Sequence, residues 1–162
     1  MTSGACPVLE RNPVPGKGLQ LLAELPLDRA VGAWLTGIPY SIVHATQFFE
    51  FTKGLADEAT DRDVVRLIPV KIQPIFSGDV ARAVGRTAVG EPLNGTEVGG
   101  PEVFTLPELV RTALAARNDP RTVVENPDGT YWGAKIQKDT LLPGPGAALG
   151  EVHFKDWLAQ QR

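Results

Sequence analysis

Gly37-Ile38-Pro39-Tyr40-Ser41-Ile42-Val43-His44-Ala45-Thr46-Gln47-Phe48-Phe49-Glu50-Phe51 is the stretch whose reading decides the fold. Ile38, Tyr40, Ile42 and Val43 make a β-branched and aromatic run of strand length. The run reads as a strand buried on both faces, as in a parallel sheet. Ligands of open α/β sheets bind outside the carboxyl ends of the strands, and Ala45-Thr46-Gln47 stands at such an end. The corner is therefore a candidate site, although a core strand followed by an ordinary surface loop accounts for the same pattern. Beyond it the period changes. Phe48, Phe51, Leu55 and Ala59 share a face of a helix expected over residues 48–59.

Upstream, residues 1–17 are rich in Pro, Gly and small polar residues and carry no period. Leu27, Ala30, Val31, Trp34 and Leu35 then fall on one face of a helix, with Pro26 suited to its first turn and Gly37 to its cap. The chain divides into an irregular arm, residues 1–26, and one domain, residues 27–162. Downstream, two extended segments are expected over residues 64–68 and 70–76, confined by Pro69 and Pro74 to an edge or to irregular strands. Ser77-Gly78-Asp79 opens a helix with Ser77 as N-cap, Asp79 in its first turn, and Val80, Ala81, Val84 and Ala88 inward. Residues 95–99 form a short strand. Thr105 and Glu108 make a capping box, stapled by Phe104 and Leu109, for a helix that buries Leu106, Leu109, Val110, Ala113 and Leu114. Asn118-Asp119-Pro120 ends it, residues 121–125 suit an edge strand, and Asn126-Pro127-Asp128-Gly129 makes a turn. Phe154, Trp157 and Leu158 mark a short closing helix.

The bulk properties exclude several classes. The 162 residues suffice for one core. A formal charge of −3 provides no basic field for nucleic acid, and no apolar run approaches membrane-spanning length. The N-terminus lacks signal-peptide features, so the cytoplasm is the expected compartment. One cysteine, Cys6, excludes an internal disulfide and a cysteine-cluster metal site, and no base is positioned to make it a nucleophile. The two histidines, His44 and His153, lack partners at metal-ligand spacing. His44 ends the decisive strand, where it can contact a ligand or sit as a satisfied, partly buried side chain. No glycine-rich phosphate loop or nucleophile elbow is present. Tyr131-x-x-x-Lys135 has the spacing of a lysine-activated tyrosine. It lacks an upstream serine and a following central strand, so it reads as a coincidence.

The decisive stretch resembles the atypical short-chain dehydrogenase/reductases of the NmrA-like, NAD(P)-binding group. Two further blocks resemble the same family: Val65-Arg66-Leu67-Ile68-Pro69-Val70-Lys71-Ile72-Gln73-Pro74-Ile75 running into Asp79-Val80-Ala81, and Glu91-Pro92-Leu93-Asn94-Gly95-Thr96-Glu97-Val98-Gly99-Gly100-Pro101-Glu102-Val103-Phe104. The closing Phe154-Lys155-Asp156-Trp157-Leu158 fits its C-terminus. The resemblance covers residue 37 to the end and implies an α/β, partial Rossmann-like (doubly wound) fold. That fold would lack the N-terminal nucleotide-binding half and carry a small substrate-side lobe. It further implies NADP or NAD as cofactor, with Thr46, Gln47 and Phe48 bordering the nicotinamide. Phe49, Gln73 and His44 would lie toward the substrate, and Asp79 would cap its helix. His44 stands where an arginine is common in close relatives, and no catalytic residue is carried over.

Three functions follow from this reading. The first is the substrate-side lobe of an NAD(P)H-dependent oxidoreductase-like protein, truncated and weak or inactive alone, acting on an unknown small molecule. The second is a non-catalytic dinucleotide-sensing or regulatory module. The third is a fragment that only associates. A strand apolar on both faces needs paired neighbours, so an incomplete sheet edge invites self-association or a partner chain.

Overall fold

The computed structural model describes residues 39–93 and 95–161. The expected helix over residues 27–35, the arm and its boundary, Ile38 and Cys6 lie outside them. The described elements are β1 (Val43–Ala45), a 3₁₀ turn (Phe49–Phe51) entering α1 (Thr52–Glu58), β2 (Thr60–Asp61), β3 (Val64–Leu67), β4 (Lys71–Ile72), α2 (Ser77–Val89), β5 (Thr96–Gly99), β6 (Phe104–Thr105), α3 (Leu106–Ala116), β7 (Thr122–Glu125), β8 (Ala148–Leu149) and α4 (Phe154–Ala159). No helix among them is long and apolar enough to cross a membrane.

Strand pairing makes this a mixed α/β structure. β1, β5 and β8 form a parallel sheet in that order, with Val43 opposite Thr96 and Ala45 opposite Val98. α2 covers one face of it, where Val80 and Ala83 pack with Val43 and Val98. A second sheet runs β2-β3-β7, and β4 pairs antiparallel with β6. The main core lies between the second sheet, α1, α3 and α4. The capping box, the buried face of α3 and the closing helix α4 form as their local sequence dictates.

Four expectations need correction. The decisive strand shortens to three residues and is not buried on both faces, since His44 and Ala45 are exposed. Pairing with β5 begins where the Thr96 N–H donates to the Ile42 carbonyl at 2.8 Å, while Ser41 turns its hydroxyl toward the Leu93 N–H at 3.0 Å. The helix expected over residues 48–59 starts as a 3₁₀ turn, which shifts its phase. Phe49, Thr52, Leu55 and Ala56 are buried, and Phe51 is 59% exposed.

β3 lies centrally between β2 and β7, because Pro69 falls beyond its end and costs it no ladder bond. In α2, Phe76 occupies the N-cap position and Ser77 instead donates its hydroxyl to Glu50 Oε1 at 2.6 Å. Its inward residues are Asp79 and Ala83, with Val80 half-buried against the sheet as expected, while Ala81, Val84 and Ala88 are exposed. That turns the buried face by about 100°, one residue, from the face expected.

Asp79 is 5% exposed and ties two distant parts of the chain together. Its Oδ2 accepts from the N–H groups of Glu151 (3.0 Å) and Val152 (3.1 Å), and its Oδ1 pairs with the half-exposed Arg82. Gly150 leaves room for that carboxylate: a Cβ there would press on it at 2.6 Å. The buried amide bonds should dominate over the exposed ion pair. Asp79→Ala is therefore expected to lower stability by about 1–3 kcal/mol, and Arg82→Ala by no more than about 0.5 kcal/mol. Urea unfolding of both variants checks this; equal losses would place the anchor in the ion pair instead.

Candidate functional site

The corner after β1 is held by its backbone on two sides. The Thr46 N–H donates to the Val98 carbonyl at 3.1 Å, continuing the β1–β5 ladder. The Gln47 carbonyl accepts from the Ile75 N–H at 2.8 Å, and the Phe49 N–H donates to the Ile75 carbonyl at 2.9 Å. Side chains close the same joint. Thr46 Oγ1 donates to the Gln73 carbonyl at 2.6 Å, and Gln73 Nε2 donates to the Gly100 carbonyl at 2.7 Å. Gly100 has no side chain for a physical reason: a Cβ there would fall onto the Pro74 carbonyl oxygen.

At the carboxyl end of β1, beside β5, lies a cavity of about 170 Å³. His44, Thr46, Gln47, Glu97 and Thr140 supply its polar lining, and residues 141–143 its apolar side. The segment over the cavity is fixed to β5, because the Gly144 N–H donates to Glu97 Oε2 at 2.5 Å. Gly99 lets Pro143 approach, since a Cβ at Gly99 would meet the Pro143 ring at 2.9 Å. His44 and Glu97 are register partners on adjacent parallel strands, so both project from the sheet face opposite α2. Among the described residues, Gln47 Oε1 is buried without a hydrogen-bond donor. An unsatisfied buried acceptor is costly, which makes it a natural recipient for an N–H or O–H entering at the corner.

Of the residues singled out by sequence, His44, Thr46 and Gln47 line the cavity, and Gln73 braces it from behind. Phe48 is not in the cavity's lining: it packs with Ile75, Ala83 and Val98 and stacks on Phe51, with ring centroids 5.5 Å apart. Phe49 is not brought to the cavity. It is 1% exposed and packs against Phe154 (5.1 Å) and Trp157 (5.6 Å) in the main core. Glu97 and Thr140 escaped the sequence reading: Glu97 is one polar residue in a strand, and Thr140 arrives on a loop with no motif. The alternation of Glu97 with Val98 was the available signal for the former.

Tyr131 and Lys135 do not share a helix. Tyr131 exchanges both backbone bonds with Ala134 in a tight turn, where Trp132 (φ 49°) and Gly133 (φ 80°) adopt left-handed conformations. Burial pushes the Tyr131 hydroxyl above its ordinary value of 10, the opposite of what a proton-transferring tyrosine requires. No group of three or more metal-ligating side chains occurs among the described residues. His153 pairs with Glu102 at 3.3 Å, away from the corner residues.

Comparison with protein-family models and with curated proteins gives no match for the chain. The joint at Gly100 carries a direct expectation. Gly100→Ala forces the Pro74 carbonyl away and should cost at least about 1–3 kcal/mol, the range of overpacking strain. Chemical denaturation gives the loss, and amide shifts at Thr46 and Gln73 report the displaced corner. An unchanged midpoint would mean that the two segments are not in contact.

Proposed function

We propose that the chain forms the substrate-side lobe of an NAD(P)H-dependent oxidoreductase-like protein of the NmrA-like group, within a doubly wound, Rossmann-like arrangement. The observation that carries this reading is the polar cavity at the carboxyl end of β1, beside its parallel neighbour β5. Its position is the one at which open α/β sheets bind ligands, and the resemblance assigns the same residues to the nicotinamide end of a dinucleotide. The unpartnered Gln47 Oε1 fits the carboxamide N–H of a nicotinamide ring. Thr46 and Gln47 would hold that ring end, and His44 and Gln73 would stand toward the substrate. The bound dinucleotide would supply the hydride chemistry. This chain's residues would position it, with Thr46 locked by the Gln73 carbonyl.

β1 has no pairing partner on its outer edge among the described residues. That edge suits a strand from a nucleotide-binding half or from another copy of the chain. The phosphates and adenosine would then be held outside this chain, which contains no glycine-rich turn of its own. A dinucleotide-sensing module without turnover is the second reading. It is favoured by the burial of Tyr131 and by its placement in a turn with Lys135, which leaves no activated tyrosine at the cavity.

Titration with nicotinamide mononucleotide, followed by heteronuclear NMR, tests the proposal. Shifts are expected at Thr46, Gln47 and Leu142 with affinity in the roughly millimolar range of a half-occupied site. Adenosine monophosphate should leave those resonances unmoved. No shift with either nucleotide, or equal shifts with both, would count against a nicotinamide subsite at the corner.

A further inference from the structure

One carboxylate in the corner cavity has no cation beside it. The polar lining is His44, Thr46, Gln47, Glu97 and Thr140, and the cavity wall contains no lysine or arginine. Among the described residues, Asp57, Asp79, Glu102, Asp119 and Asp139 each have an ion-pair partner, whereas Glu97 has none. Its Oε2 accepts the Gly144 N–H, which leaves the lone pairs of Oε1 unclaimed. The groups around it are short of donors as well. The Thr46 hydroxyl gives its proton to the Gln73 carbonyl and can offer a ligand only its lone pairs. Gln47 Oε1 has no donor of its own. His44 is the one lining side chain able to carry positive charge. It stands in register with Glu97 on the neighbouring strand but forms no ion pair with it.

An anion entering this cavity would meet the carboxylate with no basic side chain to offset the repulsion. A cation would gain a counter-charge and a set of acceptors. We propose that the cavity selects a small molecule with a primary ammonium group, whose N–H donors meet Glu97 Oε1 and whose alkyl part lies on Leu141, Leu142 and Pro143. The inference deepens the substrate-side reading of the cavity and takes the ligand's role as substrate from that reading: the substrate is an aliphatic amine, and carboxylic acids are turned away. Gly144 fixes the position of the selecting group, because its N–H holds the other carboxylate oxygen. Glu97 is itself exposed, so water screens the pair and the preference is several-fold, not orders of magnitude.

The test compares three probes of similar size, n-butylammonium, 1-butanol and n-butyrate, each titrated into the isotope-labelled full chain at neutral pH and low salt. Butylammonium should shift the amide signals of Glu97, Leu142 and Gly144. It should bind about three- to fivefold tighter than butanol and about tenfold tighter than butyrate. Glu97→Gln keeps an acceptor for the Gly144 N–H and loses only the charge, so it should bring butylammonium and butanol to equal affinity. Three results would overturn the inference: no shift at those amides with butylammonium, butyrate binding as tightly as butylammonium, or a preference for the amine that survives Glu97→Gln. The probe comparison on the unsubstituted chain decides the matter even where the variant disturbs the Gly144 contact. Amine preference without a response to nicotinamide mononucleotide would leave the ammonium site standing and remove the nicotinamide subsite. A nucleotide response without amine preference would do the reverse.

Discussion

Gly100 lies so close to the Pro74 carbonyl that no side chain can be accommodated between them. That contact brings the exit of β5 against the residues that follow β4. The rest of the corner depends on the approach. Gln73 can then reach the Gly100 carbonyl with its amide while its own carbonyl takes the Thr46 hydroxyl. Ile75, two residues on, binds the backbone on both sides of Phe48. Each of these bonds contributes on the order of 1 kcal/mol, but together they fix the backbone of residues 46–49 and use only the Thr46 hydroxyl from the polar lining of the cavity. A site supported in this way is preorganised by its ladder, with the His44 and Gln47 side chains left free of backbone duties while Glu97 holds the Gly144 N–H.

The same joint sends Phe49 inward. Its N–H is committed to Ile75, and its ring meets Phe154 and Trp157, which α4 supplies from the far end of the sequence. Edge-to-face aromatic packing adds to the burial of these rings and couples the corner to the closing helix. Asp79 ties the same end of the chain from the other side by accepting the amides just before α4. Phe49 thus links the corner's backbone to the closing helix, and Asp79 links α2 to the segment that leads into it.

Features encoded by neighbouring residues were legible in the sequence. The capping box of α3, its buried face, the strand β5 and the short α4 depend on local spacing and local bonds. The location of the corner was legible too, because a strand end marks it. The facing of α2 was not, since its apolar residues spread over an arc too wide for periodicity to choose a side. The phase of α1 was lost to a single 3₁₀ turn, which exchanges Phe51 for Phe49 in the core. Glu97 and Thr140 reach the cavity through long-range pairing and a loop, and no short motif encodes either. Pro69 was read as confining β3, yet it stands one residue past Ile68, outside the ladder.

The central claim is that this chain builds the nicotinamide side of a dinucleotide site and not the whole of it. Titration with NADPH and NADH, following the emission of Trp132 and Trp157 with a parallel sizing measurement, tests it most directly. The account predicts a folded chain with no saturable micromolar response to either intact dinucleotide, because the phosphates find no cradle. Saturable micromolar binding by the folded monomer would contradict it, for the chain would then hold a complete dinucleotide site.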